Sequence, residues 1–253
     1  MILVLLACKA PPPAPTELSE LARFFFREHH AEDTEILGAG AVNLAGLLAD
    51  IDPDAAALDR AFSVTALQAD DVVGIARPER DPTACDALAV ADRSPWPLSE
   101  HLQYMVLSDL VETSLTASVY ERSFDVADPT CFLDRSCESM QTENLIYRDT
   151  ILLKVEYTLT KEYRWLTSEQ LGDVVISRGW IEEEAHGDSD ANHIYQNYEI
   201  DLYIPDGEET LRLFGVWTES DYAGLDAETA YNLSMNATSD ALKYLDSWIA
   251  EQQ

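Results

Sequence analysis

The chain has 253 residues, 47% of them hydrophobic, enough to bury a core as one large domain or two small ones. Its 47 acidic and 16 basic residues leave a net charge of -31. Such a chain repels phosphate backbones, and no basic stripe offsets the repulsion, so nucleic-acid binding is disfavoured as a function class. The lysines are Lys9, Lys154, Lys161 and Lys243, and the other basic residues are arginines. Many acids with few lysines suits salty water, where counterions screen self-repulsion.

The N-terminus is an apolar run, Met1 to Ala7, ending in Leu5-Leu6-Ala7-Cys8. Lys9-Ala10-Pro11-Pro12-Pro13-Ala14-Pro15 follows, a stretch that proline keeps stiff and extended. This start resembles the lipobox of bacterial lipoproteins, in which the cysteine becomes the acylated mature N-terminus. The resemblance implies a signal remnant over residues 1–7, lipid attachment at Cys8 and a tether over residues 8–15. It also implies an extracytoplasmic protein, lipid-anchored at the bacterial cell envelope. The pattern departs from a full signal in having no Lys or Arg before Cys8 and a short apolar run. If the signal is spurious, the protein is expected to be soluble and cytoplasmic. No later stretch approaches the roughly 18 apolar residues of a membrane helix.

Residues 16–253 read as a single α+β domain, helical over 16–92, with a sheet and a C-terminal helix over 100–253. Thr16 suits the cap of a helix starting at Glu17, with Leu18, Leu21, Ala22 and Phe25 at helical spacing and an end near His29-His30. A second helical pattern carries Val42, Ala45 and Leu48. Asp52-Pro53 breaks it, and a short third helix is expected over residues 54–61. Val72-Val73-Gly74-Ile75 reads as a short strand, and Pro78, Pro82, Pro95 and Pro97 mark an irregular crossing.

The second half reads as an antiparallel sheet of about five to six strands. Residues 113–124 are rich in Thr, Ser, Val and Tyr. From Leu145 to Trp165 apolar residues hold the odd positions, which predicts one long strand with a buried face. Asp149 and Lys161 interrupt the set, predicting a bend or bulge. Further strands are expected over about 173–183, 193–204 and 208–219, with a tight hairpin at Pro205-Asp206-Gly207. A long helix from about Ala227 to Glu251, capped by Asp226, would bury Ala230, Leu233, Ala237, Ala241, Leu245 and Trp248. The helix and the uncovered sheet face are expected to pack on each other.

Few residues point to chemistry. Nucleophile-elbow, zinc-protease, phosphate-loop and dinucleotide motifs are missing, and no cofactor is implied. Cys131 and Cys137 are spaced for a local disulfide, favoured over two free thiols or a bridge from Cys85. Asp188, Asp190, Asn192 and Glu199 hold positions one, three, five and twelve of a calcium loop, but His193 stands where the turn glycine belongs. A solvated hairpin loop is the favoured reading there. His29 and His30 suit a helix end, and as metal ligands they lack a third partner at defined spacing. His186 or His193 with Asp188 and Asp190 is the combination that a hydrolytic site would use. Tyr147, Tyr157, Tyr163 and Trp165 form either a packed sheet core, the preferred reading, or the lining of a ligand pocket. Asn232 and Asn236 match glycosylation acceptors by pattern alone.

The order of elements over about residues 100–253 resembles the helix-grip domains of the START-like superfamily. That resemblance implies an apolar cavity between sheet and final helix for a lipid or other hydrophobic molecule. Three function classes follow. The first is a lipid-anchored, non-enzymatic binding or envelope-interaction module whose partners are the membrane and an envelope protein or hydrophobic small molecule. The second is a START-like carrier, expected to show an apolar cavity of at least about 300 Å³ beneath the final helix. The third is an extracytoplasmic hydrolase.

Overall fold

The structure, a computed structural model, describes residues 13–75, 79–149, 154–187, 192–221 and 226–253. Cys8 and the apolar run before it, like Asp188 and Asp190, lie outside the described residues. Among the described residues no helix is long and apolar enough to cross a membrane.

The helical elements are α1 (Leu18–Arg27), α2 (Thr34–Leu48), α3 (Ala57–Arg60), α4 (Leu98–Met105) and α5 (Ala227–Gln252). The strands are β1 (Ala61–Ser63), β2 (Asp86–Ser94), β3 (Ala117–Phe124), β4 (Ser139–Asp149), β5 (Lys154–Ser168), β6 (Gly172–Ile181), β7 (Ala185–His186), β8 (His193–Asp206) and β9 (Glu209–Asp221). The strands form one sheet in the order β1-β2-β9-β8-β6-β5-β4-β3, with β7 paired to β8. The architecture is α+β with an antiparallel sheet and a long C-terminal helix, and the nine strands among the described residues exceed the five to six expected.

The largest correction concerns the long strand read over residues 145–165. It is two strands, β4 and β5, whose register pairs Asp149 with Lys154 and Ile146 with Tyr157. Asp149 interrupts the apolar pattern because it is the last residue of β4. Partners across this hairpin have opposite parity, so Leu145 and Tyr147 face away from Tyr157 and Leu159. β2 escaped the sequence reading because Ala-Leu-Ala-Val-Ala is buried on both faces and shows no alternation. The expected strand at Val72–Ile75 is absent, and a 3-10 turn covers Ala69–Val72. Helix α1 starts one residue later than expected, after Glu17, with no side-chain cap.

Helices α1 and α2 cover one sheet face. Phe24, Phe25, Phe26, Leu21 and Ala22 bury completely or nearly so against Ile200, Leu202, Leu213 and Trp217. Phe26 meets Trp217 edge-on at 5.5 Å and Tyr198 at 5.9 Å. Such pairs each add about 0.5–1.5 kcal/mol beyond area burial. Close approach explains Gly215: a Cβ there would stand 2.8 Å from Ile200 Cγ2 and 3.6 Å from Ala22 Cβ of α1. The hairpin at Asp206-Gly207 forms as expected, with Gly207 at φ +67° in the left-handed region open to glycine.

Helices α4 and α5 cover the opposite face. Asp226 caps α5 by accepting from the Thr229 amide at 2.8 Å. The buried stripe of α5 is Met235, Ser239, Leu242, Leu245 and Ile249, which rotates it away from the expected set: Leu233 is 41% exposed and Ala237 and Ala241 are exposed. The stripe was misjudged because it carries a serine, whose hydroxyl accepts from buried Arg60 of α3.

Candidate functional site

The sheet face beneath α5 is the first candidate. Helix α5 packs on β2, near one end of the strand order, and on the turn at Val111–Thr113 that leads into β3 at the other. Asp246, farther along the helix, reaches Ser94 of β2 and Arg212 of β9, so α5 runs along these two strands. Leu88 and Val90 of β2 meet Met235 and Leu242 of α5, with Val216 and Tyr231 beside them. On the same face of the sheet, Phe214 and Thr218 of β9, Asn197 of β8 and Tyr157 of β5 are only half-buried. Burial pushes the Tyr157 phenol above its usual range, while Arg148 opposes the rise by donating to its oxygen at 2.8 Å. Thr218 Oγ1 donates to Asn197 Oδ1 at 2.5 Å.

This face is not apolar throughout. Lys161 sits on it, buried, with Nζ 2.6 Å from Asp201 and 3.8 Å from Glu199. Burial opposes its charge, but Asp201 and other neighbours hold the ammonium well above the usual lysine range. Arg122, also buried, donates to Asn144 at 2.7 Å and to the Met105 carbonyl at 2.7 Å. Both charges are paired within the protein, as buried charges must be.

The predicted aromatic set divides. Tyr147 faces the opposite side of the sheet from Tyr157. Tyr163 and Trp165 pack with Phe132, Met140, Val175 and α4 in a closed cluster. Trp165 Nε1 donates to the Phe132 carbonyl at 2.9 Å. Phe132 is delivered by the Cys131–Cys137 loop, which is closed by the expected disulfide. Cys85 is a free, buried thiol, pushed up to about 12 by burial and by nearby Glu219, Asp86 and Asp81.

No protein-family model and no curated protein sequence matches the chain. Solved structures similar to it include a STAR-related lipid transfer protein from Xanthomonas axonopodis, at 9% identity and TM-score 0.45, covering 66% of this chain and 87% of that one. A START superfamily protein from Mycobacterium smegmatis aligns at 9% identity and TM-score 0.43, covering 66% and 99%. A protein from Thermus thermophilus aligns at 12% identity and TM-score 0.44, covering 65% and 97%. At these identities and scores the likeness carries nothing about ligands.

Three other clusters bring titratable side chains together. Ser94, His101 and Asp246 meet, but the order differs from a hydrolytic triad. Ser94 Oγ donates directly to Asp246 at 2.6 Å, and His101 Nε2 lies 2.9 Å from the same oxygen. Ser94 and His101 are both fully buried, so a substrate would not reach the hydroxyl. Burial, with Arg212 nearby, pushes His101 down to about 2 and keeps it neutral.

His186 and His193 form a cross-strand pair of β7 and β8, beside Glu184. His193 Nδ1 lies 3.1 Å from Glu184 Oε1. Glu199, the twelfth position of the calcium pattern, instead lies beneath α5 beside Lys161. Asn192 is described, while the aspartates of that pattern are not.

His29 and His30, at the end of α1, acquire the third partner that spacing in the sequence could not show. Glu162 of β5 lies 3.0 Å from His30 Nε2 and 3.8 Å from His29 Nδ1. A cleft of about 360 Å³ opens beside them, lined also by Glu32, Asp125 and Glu138. This cavity, of the size expected beneath α5, is polar and lies on the opposite face. Burial, then Arg178, lowers the His29 imidazole well below its usual range.

Proposed function

We propose that the chain is a non-enzymatic binding module of START-like carrier type, holding a small amphipathic molecule between α5 and the sheet. One observation carries this reading. Helix α5 packs on β2 and on the turn at Val111–Thr113, while Phe214, Thr218, Asn197 and Tyr157 on that face of the sheet keep partial exposure. Phe214 and Val216 offer an apolar wall, and Asn197, Thr218 and Tyr157 offer hydrogen bonds. The ligand class is therefore an apolar body bearing polar groups, since buried polar atoms need partners. Lys161 is satisfied by carboxylates and offers no free charge to an anionic head.

In this reading a lipid on Cys8 and the proline-rich tether hold the carrier at the bacterial envelope, outside the cytoplasm. Two or more acyl chains would anchor it stably. A docked envelope protein has less support, because the exposed large hydrophobics Leu47, Leu58, Val73, Leu115, Leu145 and Leu233 lie on different elements.

The test is titration of the protein with a dansyl-labelled fatty acid, compared with Thr218→Trp, which sets a bulky ring on that face of the sheet. Saturable fluorescence enhancement in the wild type, weakened more than about tenfold in the variant, supports the carrier reading. No enhancement, or the same enhancement in both proteins, overturns it. Labelled palmitate incorporation in the native host tests the anchor separately.

A further inference from the structure

His29 is 1% exposed, and neither ring nitrogen has a hydrogen-bond partner. The Ile176 backbone and Glu162 Oε2, 3.8 Å from Nδ1, come near without reaching hydrogen-bond geometry. A buried imidazole with both nitrogens unused is uncommon, because buried polar atoms are almost always paired. The adjacent residue, His30, is 63% exposed and also turns toward Glu162. One ligand atom from each of His29, His30 and Glu162 falls within 4.8 Å of the other two.

We propose that His29, His30 and Glu162 bind a first-row transition-metal dication, zinc in the first instance, at the edge of the cleft opposite α5.

Bond lengths of about 2.0–2.2 Å around a tetrahedral centre put ligand atoms about 3.4 Å apart. The 3.0 and 3.8 Å from Glu162 Oε2 bracket that value, and the two imidazole ligand atoms, within 4.8 Å of each other, draw together to complete the set. Two imidazoles and one carboxylate suit zinc and its neighbours, whereas calcium and magnesium take oxygen sets. Arg178 Nε donates to Glu162 Oε2 at 2.7 Å and fixes the carboxylate, as outer partners of metal ligands do. Arg178 and Arg164 oppose an incoming cation, while Glu32, Asp125 and Glu138 on the cleft wall attract it. Three protein ligands leave a position open beside the cleft for water or a small anion.

The alternative cluster, Glu184, His186 and His193, is more open, with the His186 side chain 66% exposed. It must be separated by experiment. The untagged full-length protein, stripped with chelator, is titrated with zinc chloride by calorimetry and with cobalt(II) by visible absorption. The expected result is one equivalent bound, with tetrahedral cobalt bands. His30→Ala, at an exposed side chain whose loss should leave the fold intact, weakens that binding by more than about tenfold, and Glu162→Gln does the same. His186→Ala leaves it unchanged. Failure of the wild type to bind at micromolar zinc overturns the site. So does binding that survives His30→Ala, or binding that is lost in His186→Ala.

Discussion

Lys161 Nζ lies 2.6 Å from Asp201 Oδ2, although β6 runs between their strands. The register explains the reach: Lys161 pairs with Gly179, and Gly179 pairs with Glu199. With no side chain at Gly179, the lysine lies over the middle strand and meets the carboxylates beyond it. Ser177 also donates to Asp201 Oδ2, at 2.8 Å. Removing one partner of a buried pair leaves an uncompensated charge and costs about 3–5 kcal/mol. Lys161→Met should therefore lower unfolding free energy by that amount in urea melts. Adding Asp201→Asn should recover part of the loss. A single-variant cost below about 1 kcal/mol would show that the pair is not coupled to folding.

A second network ties α5 to the sheet. Asp92 of β2 accepts from Arg212, its cross-strand neighbour on β9, and from Arg60 of α3 at 2.5 Å. Arg212 also donates to both oxygens of Asp246 on α5, at 2.9 and 2.7 Å. Asp92→Ala leaves the buried Arg60 guanidinium without its carboxylate and Arg212 with Asp246 alone, and should destabilise the fold by about 3–5 kcal/mol. Asp246→Asn should act more locally, speeding hydrogen exchange across α5 while the amides of β8 and β9 stay protected. Uniform exchange changes across the sheet would contradict this local role.

How much of this was legible depends on where each signal lives. The cap at Asp226 and the Asp206-Gly207 turn are local, and each is visible in a few consecutive residues. The split of β4 from β5 was hidden because odd-numbered apolar residues continue through the turn while the faces exchange. β2 was hidden by burial on both sides. The cluster at His29 and His30 was half legible. The histidine pair is adjacent in sequence, but Glu162 is 132 residues from His30 and arrives through strand register. Lys161 looked like an interruption of an apolar stripe because the stripe cannot show a partner two strands away.

His101 gives a pH signature. Its pKa falls from 6.5 unfolded to about 2 folded, through burial first and Arg212 second. The folded state therefore binds fewer protons. This stability is fully present above pH 6.5 and is lost as pH drops toward the folded value. The loss is on the order of 1 kcal/mol per pH unit below the unfolded value. Protonation of surface carboxylates acts in the opposite sense by reducing self-repulsion, but it is common to wild type and variant. The stability advantage of the wild type over His101→Gln should therefore shrink between pH 7.5 and 5.5, as read by chemical denaturation. A gap independent of pH would place His101 in contact with solvent.

The Cys131–Cys137 disulfide closes a short loop whose function is to present Phe132. That ring is fully buried and stacks on Trp165 at 5.4 Å between centroids. Arg135, within the loop, lies 5.3 Å from the Trp165 ring centre and pairs with Asp173 at 2.5 Å. Six residues of separation imply roughly 2 kcal/mol of stabilisation from restricting the unfolded chain. Replacing both cysteines by serine should cost about that much. Because Trp165 Nε1 donates to the Phe132 carbonyl, loosening the loop should also expose the indole and shift tryptophan emission to the red before global unfolding. Phe132→Ala should give the same spectral change with the disulfide intact, at a cost of about 3–5 kcal/mol. An unshifted emission in the double serine variant would mean that the loop holds its ring in place without the bridge.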